Sequence, residues 1–375
     1  MNLTVIGNNW FPNSPGGLDR YVYEFIHHLA ATDTTIDLYA IGLPPGESKS
    51  SIHLRTLADP KNSLSHRLYS SCRALRFLHT LKPDAINIHF ALYGLAALPH
   101  LPKDIPVTCT FHGPWAFESR QEGDNKVSTW IKKQMEQQVY HRCNRFIVLS
   151  NAFGQILHQE YSVPWDKIHV IPGGVDSQRF QNSLSREQAR ERLGWPQDRF
   201  ILFTPRRLVQ RMGLDKLLCA IAQLKPHHPD LWLSIAGKGP LRETLEQQST
   251  HLNLDNAVKF LGFLPDEDLL TAYQAADLTI VPSQSLEGFG LVLLESLASG
   301  TPVVCTPVGG MPEVISDFSP ALITASPSSQ SIAATLADIL TGNRLLPDRE
   351  ACCGYATTHF DWPSIAGRVK QVLLQ

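Results

Sequence analysis

The stretch Pro282-Ser283-Gln284-Ser285-Leu286-Glu287-Gly288-Phe289-Gly290-Leu291-Val292-Leu293-Leu294-Glu295 decides how this chain is read. It follows the apolar run Leu278-Thr279-Ile280-Val281, so it predicts a strand, a glycine-broken loop and then a helix. Gly288 and Gly290 admit a tight turn and a ligand close to the main chain. A helix starting near Leu291 aims its first N–H groups and its positive dipole end over that loop. Gly288, Phe289, Gly290, Leu291 and Val292 therefore read as an anion site. Gly300 and Pro302 end the helix. Glu287 and Glu295 bracket the site. An acid beside a phosphate is electrostatically unhelpful, so each needs another task, and accepting hydrogen bonds from sugar hydroxyls is one. Either acid alone reads as a solvated surface residue; the pair around one Gly-Phe-Gly favours a ligand.

Outward from this stretch, composition sets the bounds. A chain of 375 residues exceeds the usual single core and suggests two domains. Net charge is −2, and neither half is basic enough to argue for nucleic acid. The seven cysteines form no C-x-x-C pair, which points to reduced thiols and a cytoplasmic protein. No run is long enough to span a bilayer, and residues 1–7 read as a first strand rather than a signal peptide.

Strand-loop-helix logic recurs along the chain. Residues 3–7 form a strand, and Gly16-Gly17 open an amphipathic helix with Val22, Phe25, Ile26 and Leu29 on one side. Further strands are expected at 36–41, 84–89, 107–111 and 146–149, with Ser150-Asn151 capping a helix. His112 and Gly113 fall at the carboxyl end of a strand, where open α/β sheets place ligands. His89 has the same position but reads as core or rim. Residues 64–81 predict one helix with Leu64, Leu68, Leu75 and Leu78 on one side, and no acid occurs between Pro60 and Asp84. Its basic residues read as a solvated face, or more sharply as a surface for anionic lipid. Residues 168–176 read as an interdomain hinge. The pattern restarts with strands at 200–203 and 231–236 and a strand and turn over 258–265. Gly237-Lys238-Gly239-Pro240 is no dinucleotide fingerprint, because Arg242 stands where the third glycine belongs. Asp266-Glu267-Asp268 reads as the acidic first turn of a helix rather than a metal motif.

Two glutamates seven residues apart around Gly-Phe-Gly resemble the signature of the retaining glycosyltransferases of family 4, and the resemblance runs from Gly16-Gly17 to Phe360-Asp361-Trp362. It implies an α/β fold of two Rossmann-like domains facing across a cleft, the GT-B architecture. The expected divisions are 1–170 on the acceptor side, 171–358 for the nucleotide sugar, and a helix at 359–375 crossing back to the first domain. The reaction implied is transfer of a hexosyl-type sugar from a nucleotide-diphosphate donor, UDP or GDP by expectation, to a glycan, lipid-linked or small-molecule hydroxyl. No cofactor or metal is implied. Arg207, Arg211 and the backbone at Gly290 and Leu291 would meet the charge growing on the departing diphosphate. Glu287 would hold the donor sugar, Glu295 the ribose, and His112 would touch the sugar. Gly16, Gly17, Gly237 and Phe263 join the donor-binding set, the main chain around Phe263 reading the base. A front-face displacement, with the leaving phosphate helping to take the acceptor proton, is the implied mechanism. Two departures stand out: Arg206 occupies a usual glycine, and Met212 a usual lysine.

Competing readings are weaker on residues. An epimerase needs acid/base carboxylates in another pattern, and a phosphorylase a lysine for pyridoxal phosphate. A non-catalytic nucleotide-sugar or glycan binding protein would be free to lose Glu287 or His112, and both are present. Association with an anionic membrane at its inner face is the remaining expectation.

Overall fold

The computed structural model describes residues 1–14, 16–44, 51–180 and 184–375. Pro15, counted in the first glycine loop, lies outside the described residues. The chain divides into two compact units, Met1–Gly174 with Trp362–Gln375, and Val175–Asp361.

The first unit carries seven parallel strands: β1 (Asn2–Asn9), β2 (Thr35–Ile41), β3 (Ile52–Thr56), β4 (Ala85–Ile88), β5 (Val107–Phe111), β6 (Arg145–Val148) and β7 (Ile168–Val170). Their order is β3-β2-β1-β4-β5-β6-β7. Every residue of β4 and β5 is buried, as a parallel sheet covered on both faces requires. The order reverses between β1 and β4, and the crevice beyond their carboxyl ends is where such sheets take ligands. Helix Gly17–Ala30 buries Tyr21, Val22, Phe25, Ile26 and Leu29, the apolar stripe that its periodicity predicts. Ser150 caps helix Asn151–Tyr161 by accepting the Phe153 N–H at 3.2 Å. Helix Trp362–Leu374 belongs to this unit: Trp362 is fully buried, edge-on to Tyr21 with ring centroids 5.1 Å apart.

Three sequence expectations differ here. The edge strand β3 was not anticipated; its polar His53 and Arg55 interrupt the apolar pattern, and both side chains reach Asp37 of β2, at 3.5 and 2.6 Å. The single helix at 64–81 is two, Leu64–Leu75 and Leu78–Leu81. Thr80 donates both its N–H and its hydroxyl to the Phe77 carbonyl, so a new, tighter turn starts there. Leu75 and Leu78 reach the core, whereas Leu64 is exposed. Residues 168–170 are β7, the last strand of the sheet, rather than a hinge; the unit boundary falls after Gly174.

The second unit has five parallel strands: β8 (Phe200–Pro205), β9 (Leu231–Ala236), β10 (Val258–Gly262), β11 (Leu278–Val281) and β12 (Val303–Cys305), in the order β10-β9-β8-β11-β12. Its switch point lies between β8 and β11. The buried Arg190 guanidinium braces this unit, donating to Asp277 at 2.6 Å and to the Ala275 carbonyl at 2.9 Å. Asp266, Glu267 and Asp268 form the first turn of helix Asp266–Ala275, with Asp266 paired to Arg179. All seven cysteines are free. No helix among the described residues is long and apolar enough to cross a membrane.

Candidate active site

In the second unit the switch point gathers residues from both sides. β8 delivers Arg206 and Arg207, and β11 delivers the loop from Pro282 to Gly290. Gly290 adopts a left-handed conformation, φ 81°, as the cap of helix Leu291–Ala298. That conformation, which suits glycine, turns the chain so that the N–H groups of Leu291 and Val292 open the helix. Both residues are partly exposed.

Glu287 is nearly buried, its side chain 13 % exposed. The Arg206 guanidinium donates from Nη2 to its Oε2, and the Ser283 hydroxyl donates to the same oxygen at 3.0 Å. Burial alone would raise the Glu287 carboxyl. The charges of Arg206 and then Arg211, with the hydrogen bonds from Arg206 and Ser283, outweigh it and hold the carboxyl below its ordinary value. Glu287 is therefore an anion at neutral pH rather than a solvated loop residue. Its main chain is clamped as well. Gly310 donates its N–H to the Glu287 carbonyl at 3.0 Å, and a Cβ at Gly309 would come 1.8 Å from that same oxygen.

Glu295, expected either on the ribose or in solvent, is 8 % exposed and accepts the Tyr273 hydroxyl at 2.7 Å. Arg211 is also buried, donating from Nη1 to the Leu286 carbonyl at 2.9 Å; it ties the loop together from beneath. Arg207 is exposed at the end of β8. Gly237, at the end of β9, donates its N–H to Gly262 at 2.6 Å. Phe263 is 43 % exposed with Lys238 Nζ over its ring at 5.0 Å. Gly288 lies partly exposed in the loop. The Phe289 ring is buried against Phe360, with centroids 5.9 Å apart, so its side chain packs the core.

Sequence reasoning missed Arg206, Ser283, Tyr273 and Gly309. Arg206 was visible only as an oddity, an arginine in place of a usual glycine. Its role depends on Glu287, 81 residues away.

The first unit carries its own candidates. Gly16 precedes helix Gly17–Ala30 in extended conformation, and a Cβ at Gly17 would meet nothing within 4 Å. Asp19, in the first turn, accepts the Asn9 N–H at 3.0 Å and the Asn8 amide at 3.2 Å, fixing the end of β1. Burial raises its carboxyl to about 6 against those hydrogen bonds. His112, half-buried at the end of β5, places Nε2 3.0 Å from Nδ1 of His89 at the end of β4. Burial pushes His112 down to about 3, so it is neutral at physiological pH.

Two Rossmann-like units, one with a helix N-terminus, buried guanidiniums and sheltered carboxylates at its switch point, place the chain in the GT-B fold class. More particularly, the chain belongs to the group 1 glycosyltransferases of family 4. Residues 185–359 match the family model for glycosyl transferases group 1, and residues 15–179 that for glycosyltransferase family 4. The D-inositol 3-phosphate glycosyltransferase of Corynebacterium jeikeium is 33 % identical over 301 residues, which cover 76 % of this chain and 70 % of that protein. Among solved structures, the sucrose-phosphate synthase from Thermosynechococcus elongatus superposes with a TM-score of 0.82 at 22 % identity, covering 99 % of this chain and 98 % of its own. HepE of Anabaena in complex with UDP-glucose superposes with a TM-score of 0.76 at 19 % identity, covering 100 % and 99 %.

Proposed function

We propose that this protein moves a hexosyl group from a nucleotide-diphosphate donor to a hydroxyl acceptor with retention of anomeric configuration and without a metal ion. One observation carries the reading: an ionised Glu287, locked by Arg206 and Ser283, stands at the mouth of the helix that starts at Leu291. The helix N-terminus and Arg207 favour the diphosphate, and negative charge grows there as the sugar–phosphate bond breaks. Glu287 accepts hydrogen bonds from sugar hydroxyls near the reacting carbon, and Glu295, oriented by Tyr273, from the ribose. UDP or GDP is the expected carrier; the named ligand of HepE supports UDP. The likeness to a D-inositol 3-phosphate glycosyltransferase and to a sucrose-phosphate synthase supports a phosphorylated small-molecule acceptor over a glycan.

A thermal-shift series with UDP, GDP, ADP and dTDP tests the donor side. One nucleotide at a hundred times its Kd raises stability by about 2.7 kcal/mol, the others by little. No shift with any of the four sinks the donor reading. Turnover is expected to survive EDTA and to give a product with the donor's anomeric configuration by proton NMR. Activity lost in EDTA and restored by manganese contradicts the metal-free mechanism, and an inverted product contradicts retention.

Residues 64–81 bear on localisation at a membrane face inside the cell. Tyr69 and Phe77 are exposed, with Arg73 5.9 Å and Arg76 4.4 Å from their ring centroids. Aromatic rings paired with cations suit the headgroup region of anionic lipid, where each basic residue contributes about 1 kcal/mol. The triple variant Arg67→Gln, Arg73→Gln, Arg76→Gln is expected to lose partitioning onto phosphatidylserine vesicles by roughly a hundred-fold. Equal partitioning of variant and wild type removes the membrane-docking role.

A further inference from the structure

His89, at the end of β4, is 3 % exposed and has no task in the reading above. Its Nδ1 lies 3.0 Å from His112 Nε2. Its other nitrogen, Nε2, is buried and has no hydrogen-bond partner among the described residues. Aromatic rings close around the pair: Tyr21 is edge-on to His112 at 4.9 Å, and Phe25 lies 5.5 Å from His89. Burial keeps both imidazoles neutral, so each ring carries one N–H.

Only two arrangements satisfy the short nitrogen–nitrogen contact. If His112 donates from Nε2, the proton of His89 sits on its own Nε2, a buried donor with no acceptor. If His89 donates from Nδ1, its Nε2 is a bare lone pair in apolar surroundings, and His112 carries its proton on Nδ1. A buried N–H without a partner is the costlier defect, so the second arrangement is favoured. The hydrogen bond at one ring nitrogen thus dictates what the other presents.

We propose that His89 is a positioning residue: by donating Nδ1–H to His112 Nε2 it fixes His112 as the Nδ1–H tautomer, so that the end of β5 offers a neutral N–H donor to a hydroxyl oxygen of the sugar substrate. The hydroxyl as ligand rests on the glycosyltransfer reading; the tautomer does not. In this form His112 Nδ1 orients a substrate oxygen and takes no proton from it.

Nitrogen NMR of the full-length protein with labelled histidines reads the tautomer directly. Both His89 and His112 are expected to show a protonated, pyrrole-type Nδ1 and a pyridine-type Nε2 at neutral pH. In His89→Asn the side-chain amide nitrogen stands where Nδ1 stood and keeps His112 protonated on Nδ1, whereas His89→Leu releases it to a mixture. With UDP-glucose as donor, His89→Leu is expected to lower kcat/KM by about ten- to a hundred-fold, the usual weight of a group that orients a histidine, and His89→Asn to restore most of it. A His112 protonated on Nε2 in the wild type overturns the proposal, as does equal activity of the two variants. A wild type inactive with UDP-glucose counts against that donor alone, because the nitrogen shifts still decide the tautomer.

Discussion

Glu287→Gln is expected to lower kcat by roughly ten- to a thousand-fold while leaving the affinity for the free nucleoside diphosphate near that of the wild type. The amide keeps the shape of the carboxylate and removes its charge. Glu287 is held as an anion by Arg206 and Arg211, so the charge itself is the feature under test. Removing it also strands Arg206, whose Nε is buried and has no hydrogen-bond partner among the described residues. Breaking a buried pair by deleting one member typically costs about 3–5 kcal/mol of stability. Urea denaturation must therefore accompany the kinetics, with turnover read at a temperature where the variant stays folded. The sign with pH follows from the depressed carboxyl. The stabilisation from Glu287 is present at neutral pH and is lost only as pH falls below its ordinary value of 4.5. Glu295→Gln, by contrast, is expected to raise KM for the donor more than it lowers kcat, since Tyr273 already holds one of its oxygens. Wild-type turnover in a folded Glu287→Gln protein would falsify the role given to this carboxylate.

Why the loop around Glu287 was legible and its partners were not has a physical basis. Central strands of a parallel sheet are buried on both faces, so β11 reads as a continuous apolar run, and the glycines that follow mark the turn into the helix. The final helix, expected at 359–375 from the family resemblance, runs from Trp362 to Leu374 with Trp362, Ile365, Ala366, Val369, Val372 and Leu373 buried. The edge strand β3 was not, because its exposed side carries His53 and Arg55 and its apolar alternation is short. Three arginines at 206, 207 and 211 look alike in sequence, yet Arg206 and Arg211 are buried and Arg207 is exposed. That sorting is made by tertiary partners far along the chain, Glu287 and Leu286. His89 read as core or rim, and it is 3 % exposed; what the sequence hid was that its Nδ1 faces His112.

The same sorting reverses one expectation. Taken from sequence alone, Met212→Lys restores the family's usual lysine and costs little. In the structure Met212 is 5 % exposed, and its Sδ lies 2.7 Å from Arg206 Nη2, which also donates to Ser283 at 2.6 Å. Arg206 thus occupies the space beside Glu287 that a lysine at 212 would seek, and the soft thioether leaves room for it. An ammonium added at 212 meets a guanidinium in a buried site, so Met212→Lys alone is expected to lower both stability and kcat/KM by roughly 1–3 kcal/mol. Arg206→Gly alone leaves Glu287 buried without its hydrogen-bonded counterion and is expected to cost about 3–5 kcal/mol of stability. Combined, Arg206→Gly and Met212→Lys give Glu287 one cation again, now from the neighbouring position. The double variant is expected to be more stable and more active than either single one, with a coupling energy of about 1–3 kcal/mol. An ammonium is a point charge where the guanidinium makes a directed fork, so recovery falls short of the wild type. Effects of the two substitutions that simply add, to within about 0.5 kcal/mol, show that Arg206 and Met212 do not share one site.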